Sequence, residues 1–549
     1  MTNLSHSEQD ELTEYTGGMT ISHLWERNAL QYPDKDAIED LRVTFTWAGA
    51  ELWIDRVALG LLELGIKRDE VLVVQLPNCV EVHLLRVVCE KAGIRCLPLN
   101  SNMRKTEVEN ILINTRAVGV VIPWEYRGVN YIDMIKEICP NLPDFKYIFI
   151  SDDKVPGGLI SIREMAEQPL EKKYPADCFE TRRYKGGEIS LIGPTSGSTS
   201  LPRLLMYSPL SYSGLGKFFM EGYSLSPNDT LGAMSPAARG PNNPLYFGAP
   251  WAAAKIFMLP WTGPGDALKV IEERKITCVC LVPAQLAMML EQVQARNYDL
   301  SSVRIWESTG APLPTPLRKE TESKMGGTVV NTYGLTETGN LSSVVPEDAY
   351  EVRMNTDGKP LFGVQIRIVD DEGKEVDRGM TGEVRAKSLF YSLGFYHDEK
   401  ATGEFWDEEG WITTGDIGMI DEGGNLTIVG RKKDVIIRGG QNIYPAEIEK
   451  MLIDHPKVMD IVVVAMPDPV MGEKACAYVV TMGGQEFTFN EMIAFLKQQN
   501  IASFKLPERL EILDKFPTLA GGNKVDKNLL RQDIARKLEQ EGTGRSAVG

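Results

Sequence analysis

Three short segments carry residue types and spacings suited to handling a nucleotide. The first is Thr195-Ser196-Gly197-Ser198-Thr199-Ser200-Leu201-Pro202-Arg203, just after the apolar stretch ISLIG. Hydroxyl and glycine residues in series can wrap a polyphosphate with O–H and backbone N–H donors, and a terminal cation can meet the outer phosphates. It is not a Walker loop, because GxxxxGK[ST] is absent. The second is Asn331-Thr332-Tyr333-Gly334-Leu335-Thr336-Glu337-Thr338-Gly339. There an aromatic ring beside a glycine can stack on a purine, while Thr336 and Glu337 offer oxygens to phosphate and Mg2+. The third runs from Trp411 to Asp416, an acid after a tight turn that can accept both ribose hydroxyls. Taken singly, each also fits an ordinary surface turn.

The elements around these segments alternate in type. DRVALGLLELGI and VEVHLLRVVCEKAGI have apolar residues at helical spacing, and VLVVQLP, the run Arg95 to Leu99, and VGVVIP read as short buried strands. His83, on the second of these helices, reads as packing. From Gly265 the alternation returns in GDALKVIEERKI, TCVCLVP and AQLAMMLEQVQ. Strands separated by helices of this length predict parallel sheets with helices packed outside, and two such sheets are expected. After about Leu361 short strands punctuated by Gly and Asp (VQIRIVD, GEVRAKS, GNLTIVG, DVIIRG) predict an antiparallel or barrel-like region. AEIEKMLIDHP, DIVVVAMPD and KACAYVV then predict a small α+β domain. The expected fold class is therefore α/β: a large N-terminal domain over 1–430 and a small α+β C-terminal domain over 436–549, joined through residues 431–435.

The chain of 549 residues exceeds what one hydrophobic core usually supports. With 43% hydrophobic and 25% charged residues it has the composition of a soluble globular protein. A formal net charge of −17 argues against nucleic acid or an anionic membrane as the main partner, though not against a local basic pocket. The eight cysteines show no disulfide or zinc spacing, and Cys278 and Cys280 share one face of a strand. The polar, acidic start MTNLSHSEQDELTEYTGG resembles neither a signal nor a transit peptide, and no window offers a membrane span. A cytoplasmic location is expected.

In their order, the three segments and two later ones resemble the adenylate-forming superfamily of acyl-CoA synthetases, peptide-synthetase adenylation domains and firefly luciferase. The resemblance runs from about His23 to Leu530 and includes YGLTETG, TTGDIG, GRKKDVIIRGGQNIYPAEIE and GGNKVDK. It implies ATP as a substrate with Mg2+ bound by Glu337. Thr195, Ser196, Gly197, Ser198 and Thr199 would form the phosphate loop, with Arg203 where the family has lysine. Ser308, Thr309, Gly310, Ala311 and Pro312 would border adenine and the acyl group. Asn331, Thr332, Tyr333 and Gly334 would hold adenine, Thr336 the α-phosphate, and Asp416 and Arg431 the ribose. Lys524 would reach the carboxylate and α-phosphate during adenylation. Lys433 would be the hinge about which the small domain rotates, and Gly439 and Gly440 would contact coenzyme A.

This chain departs from the family pattern in three places. Ser200 and Arg203 stand where the phosphate loop has glycine and lysine, and Asn523 fills a glycine position next to Lys524. Most informative is Pro236 to Gly248, lining the implied acyl pocket, which carries Asn242 and Asn243 and no histidine. Asparagine there resembles the aryl-acid activating enzymes, and the aspartate that pairs an amino-acid substrate's ammonium is missing. The acyl pocket is thus expected to include Asn242, Asn243, Gly310 and Gly334 and to favour an aromatic or alicyclic carboxylic acid. Asn242-Asn243-Pro244 also fits an ordinary turn. The acceptor thiol is expected to be coenzyme A or, alternatively, the phosphopantetheine of a carrier protein.

Overall fold

The computed structural model describes residues 6–152, 155–195, 202–236, 240–499, 501–518 and 525–546. Two large sheets dominate, each parallel at its centre and antiparallel at an edge. The eight-stranded sheet runs Gly394–Phe395, Leu204–Tyr207, Leu191–Pro194, Arg95–Pro98, Val71–Val74, Gly119–Ile122, Tyr147–Ile150 and Ile160–Ser161. The nine-stranded sheet runs Lys359–Pro360, Gly339–Ser343, Thr328–Leu335, Ile305–Thr309, Cys278–Leu281, Thr230–Ala233, Lys255–Met258, Asp36–Glu39 and Thr44–Thr46. Strands such as Val71–Val74 and Cys278–Leu281 are buried along their whole length, as strands covered on both faces must be. Cys278 and Cys280 are free thiols in that core.

The inner faces of both sheets share one core with the helices Trp47–Glu63, Val80–Ala92 and Pro209–Gly222. Separate cores cover the outer faces, beneath Lys105–Thr115 and Tyr131–Ile138 on one sheet and beneath Pro264–Arg274 and Pro283–Ala295 on the other. His83 is buried between the Trp25 and Tyr246 rings, 5.4 and 5.1 Å away, a packing position. Burial pushes its pKa down to about 3, so the imidazole stays neutral.

Of the Gly- and Asp-punctuated runs, VQIRIVD, GEVRAKS and GNLTIVG supply Val364–Val369, Gly382–Ser388 and Leu426–Arg431 to an antiparallel four-stranded sheet with Ile412–Ile420, whereas DVIIRG supplies Ile436–Arg438 to the C-terminal sheet. Beyond it the smaller C-terminal domain has a five-stranded sheet built around Val458–Asp468 and Gly472–Thr481. Strict alternation decides its two cores. Ile461, Val463, Ala475 and Ala477 face the helices Pro445–Leu452 and Phe489–Gln498, while Val462, Val464, Cys476 and Tyr478 face Lys527–Ser546. No helix among the described residues is long and apolar enough to cross a membrane.

Candidate active site

The polyphosphate-type segment joins the strands Leu191–Pro194 and Leu204–Tyr207, which pair antiparallel with Pro194 opposite Leu204. Thr195 N–H donates to the Arg203 carbonyl at 2.8 Å, so both residues stand at the neck of the loop. Ser196, Gly197, Ser198 and Thr199, with Ser200, lie outside the described residues. The Arg203 guanidinium sits 5.5 Å above the Phe395 ring.

The turn carrying Thr336 and Glu337 links Thr328–Leu335 to Gly339–Ser343, where Leu335 is opposite Gly339. It is pinned from the other sheet: Tyr207 Oη donates to the Thr336 carbonyl at 2.6 Å, and Ser392 N–H donates to the Glu337 carbonyl at 3.1 Å. Leu335 N–H also donates to Thr338 Oγ1 at 3.1 Å. Gly334 must be glycine, because a Cβ there would lie 2.2 Å from the Gly339 carbonyl oxygen. Thr336 is exposed and Glu337 half-buried. Burial raises the Glu337 pKa above the usual carboxylate value, opposed by the charges of Arg431 and Arg203. The turn, the loop neck and both arginines therefore converge on one place.

Asp416 and Arg431 are directly opposed in neighbouring strands of the antiparallel sheet. Asp416 is 2% exposed, and its carboxylate accepts Tyr333 Oη at 2.6 Å and Arg431 Nε at 2.6 Å. Its own N–H donates to Thr414 Oγ1 at 3.0 Å. Asp357 fixes this sheet against the nine-stranded one, accepting Asn331 Nδ2 at 2.6 Å and Ile428 N–H at 2.8 Å. Tyr333 is thereby set beside Asp416.

The strand Ile305–Thr309 divides its residues between faces. Ser308 is in register with Leu281 and Asn331, toward the outer core, and its hydroxyl is buried without a partner. Thr309 is in register with Thr332 and donates its hydroxyl to the Thr332 carbonyl at 2.6 Å. Gly310 leaves the strand at φ +87°, a left-handed conformation glycine adopts freely, with Ala311 and Pro312 exposed beyond it. A Cβ on Gly310 would lie 3.9 Å from Pro241 Cγ, so the strand end and the 240s segment are adjacent.

Within that segment Asn242 is fully buried and donates from Nδ2 to the carbonyls of Ser235 (2.9 Å) and Pro236 (3.2 Å). Its Oδ1 is buried with no partner. Asn243 instead reaches across to Asn340 Oδ1 at 3.2 Å. Asn242 thus ties its own segment together through Nδ2.

Lys433 is exposed in the single turn Lys432–Asp434, whose flanks are tied in opposite directions. Lys432 pairs with Glu383 of the antiparallel sheet at 2.9 Å, and Asp434 with Arg531 of the C-terminal helix at 2.6 Å. Gly439 and Gly440 have φ of +55° and +84° and are exposed. Lys524, with Asn523, lies outside the described residues, and the flanking Thr518 and Val525 form an antiparallel bridge.

Sequence reasoning missed Tyr207 and Ser392, which hold the Thr336–Glu337 turn by its carbonyls, and Asp357, which ties Asn331 to the antiparallel sheet. Asp357 had only an Asp-Gly turn as a signal, and Tyr207 none. Among the described residues no three His, Cys, Asp or Glu side chains gather as a metal cage. The half-buried carboxylate of Glu337 suits a hard cation shared with a triphosphate, since Mg2+ is commonly held by one or two carboxylates and substrate phosphates.

The AMP-binding enzyme family matches residues 25–396, and the AMP-binding enzyme C-terminal domain matches 447–523. The chain is 29% identical to the medium-chain fatty-acid–CoA ligase of Escherichia coli strain K12, over 96% of this chain and 92% of that protein. It is 28% identical to the 2,3-dihydroxybenzoate-AMP ligase of Bacillus subtilis strain 168, over 95% of each. Among solved structures, the anthranilate CoA ligase AuaEII in complex with anthranoyl-AMP superposes with a TM-score of 0.84 at 22% identity, over 95% of this chain and 98% of that one, a likeness of fold. The chain belongs to the AMP-binding enzyme family, the adenylate-forming acid ligases.

Proposed function

We propose that this enzyme is an acid–CoA ligase that activates an aromatic or alicyclic carboxylic acid with ATP and passes the acyl group to coenzyme A. The observation that carries the reading is the convergence of Arg203, Glu337, Tyr333, Asp416 and Arg431 around one turn. Named relatives that act on fatty acids and on 2,3-dihydroxybenzoate support acid activation. Asn242 and the absence of histidine in the acyl segment favour a ring-bearing acid.

A carboxylate is a poor electrophile, and its approach to the α-phosphate brings two anions together. Thr195 to Thr199 and Arg203 would hold the outer phosphates, and Thr336 would donate its hydroxyl to the α-phosphate. Tyr333 would stack on adenine, and Asp416 with Arg431 would take the ribose hydroxyls in place of the Tyr333 contact. Glu337 would hold Mg2+, which supplies positive charge against the phosphates. Lys524 would bridge the carboxylate and α-phosphate and stabilise the charge that builds between them. The carboxylate oxygen bonds to the α-phosphorus, pyrophosphate leaves, and a thiolate then attacks the acyl carbon and displaces AMP.

The oppositely tied flanks of Lys432–Asp434 support a boundary there, with 1–430 as one body, 431–435 as the hinge and 436–549 as the other. Rotation about Lys433 would withdraw Lys524 and bring Gly439 and Gly440 to the acyl carbon. Incubation with ATP, Mg2+ and the acid, with free CoA or with a pantetheinylated carrier protein, tests the acceptor. The expected product is the CoA thioester. Acyl transfer to the carrier alone would instead establish the aryl-acid AMP ligase alternative.

A further inference from the structure

One buried carboxyl has no place in the chemistry above. Glu307 is fully buried in the middle of Ile305–Thr309, and neither carboxyl oxygen has a hydrogen-bond partner. Its register partners are Cys280 and Val330, which belong to the inner core, so its side chain faces inward between the two sheets. Burial, with the Cys278 thiol nearby, pushes the carboxyl well above its usual range. Against this acts only the Thr332 hydroxyl, the smallest of the three effects, which also lies 3.1 Å from Tyr223 Oη and 3.2 Å from Ser343 Oγ.

Such a group is costly unless something pairs with it, because a buried unpaired polar atom loses its water without compensation. Its position suggests what the partner is. Glu307 lies two residues below Thr309 on the same face, about 7 Å deeper than the strand's end. Strand ends are where parallel sheets bind ligands, and here the end at Gly310 abuts Pro241. The same inner core holds a second orphan, Asn242 Oδ1, whose Nδ2 is 3.5 Å from Tyr246 Oη. Tyr246 is itself buried in the inner core with Cys280, the register partner of Glu307. Two buried polar groups without hydrogen-bond partners, the Glu307 carboxyl and Asn242 Oδ1, therefore lie below the strand ends.

Resting on the acid-activation reading, we propose that Glu307 determines acyl specificity by pairing with a hydroxyl or amino substituent on the ring, at the end remote from the carboxylate. Glu307 closes the floor of the acyl site, and Asn242 offers an acceptor at its wall. An acid without a hydrogen-bonding substituent there leaves the carboxyl unpaired, and a site built for a hydrogen bond discriminates strongly against such an analogue.

The test is acid-dependent ATP–pyrophosphate exchange by the wild-type protein, Glu307→Gln and Glu307→Leu. The panel pairs benzoate and cyclohexanecarboxylate with their 3- and 4-hydroxy and amino derivatives. Wild-type kcat/KM is expected to favour a substituted acid at least tenfold, with Glu307→Gln retaining part of the preference. Glu307→Leu should lose it or turn it toward the unsubstituted acids while KM for ATP is unchanged. The Leu variant should also melt at higher temperature than wild type. The gain should grow as pH rises, because the folded state holds a proton at Glu307 that the unfolded state releases at lower pH. Exchange with an identical ranking in wild type and Glu307→Leu would overturn this inference alone. No exchange with any acid would overturn the activation reading and this inference with it.

Discussion

Replacing Lys524 with alanine is expected to slow acyl-adenylate formation by about 10²–10³-fold, the loss typical when one preorganised charge-stabilising donor is removed. Thioester formation from a supplied acyl-adenylate should stay close to wild type. The split follows from the roles of the two half-reactions. In the first, two anions must meet at the α-phosphate and a cation between them lowers the barrier. In the second, AMP leaves a neutral acyl carbon and the demand for that cation is gone. Pyrophosphate exchange measures the first half and CoA thioester formation from synthetic adenylate the second. Equal loss in both would mean that Lys524 supports the site as a whole instead of the adenylation step.

Asp416→Ala should raise KM for ATP by about tenfold to a hundredfold, since each 1.4 kcal/mol of lost binding is tenfold in affinity. It should also destabilise the protein by about 1–3 kcal/mol, because Tyr333 Oη and Arg431 Nε would each lose a 2.6 Å contact to a buried carboxylate. Tyr333→Phe separates these effects. It removes only the hydroxyl that occupies Asp416 before the ribose arrives, so KM for ATP should stay within a few-fold of wild type. Tyr333→Ala removes the ring as well, and loss of one base–aromatic stack costs about 1–3 kcal/mol. ATP titration followed by tryptophan fluorescence, with urea unfolding of the same variants, measures both quantities. A large ATP defect in Tyr333→Phe would contradict the stacking role.

Much of this site was legible because its parts lie in short contiguous runs. The strand spacing predicted two parallel-rich sheets, and the first two nucleotide segments reach the ends of their strands, where chain reversal demands small and polar residues, whereas Asp416 lies within a strand of the antiparallel sheet instead of after a turn. The strands Asp36–Glu39 and Thr44–Thr46, joining the sheet otherwise built after residue 229, were not legible there, because pairing between distant segments leaves no local period. Nor was the contact from Tyr207 to the Thr336 carbonyl, since a side chain reaching a backbone atom 129 residues away has no motif. Glu307 was hidden differently. It interrupts an apolar strand with one charge, a pattern that usually marks an exposed edge, and only three-dimensional pairing with Cys280 and Val330 puts it inside. Asp357 likewise looked like half of a turn, although it joins two sheets.

The reaction's first step leaves an isotopic record. If the carboxylate oxygen attacks the α-phosphorus and the thiol later attacks the acyl carbon, one oxygen of the acid must end on AMP. The direct measurement is a turnover with an 18O-carboxyl-labelled ring acid, ATP, Mg2+ and CoA, followed by mass spectrometry of the nucleotide and phosphate products. One 18O atom in AMP for each thioester formed, with unlabelled pyrophosphate, is the predicted result. Label in inorganic phosphate together with ADP would mean an acyl-phosphate route and would contradict the adenylate mechanism.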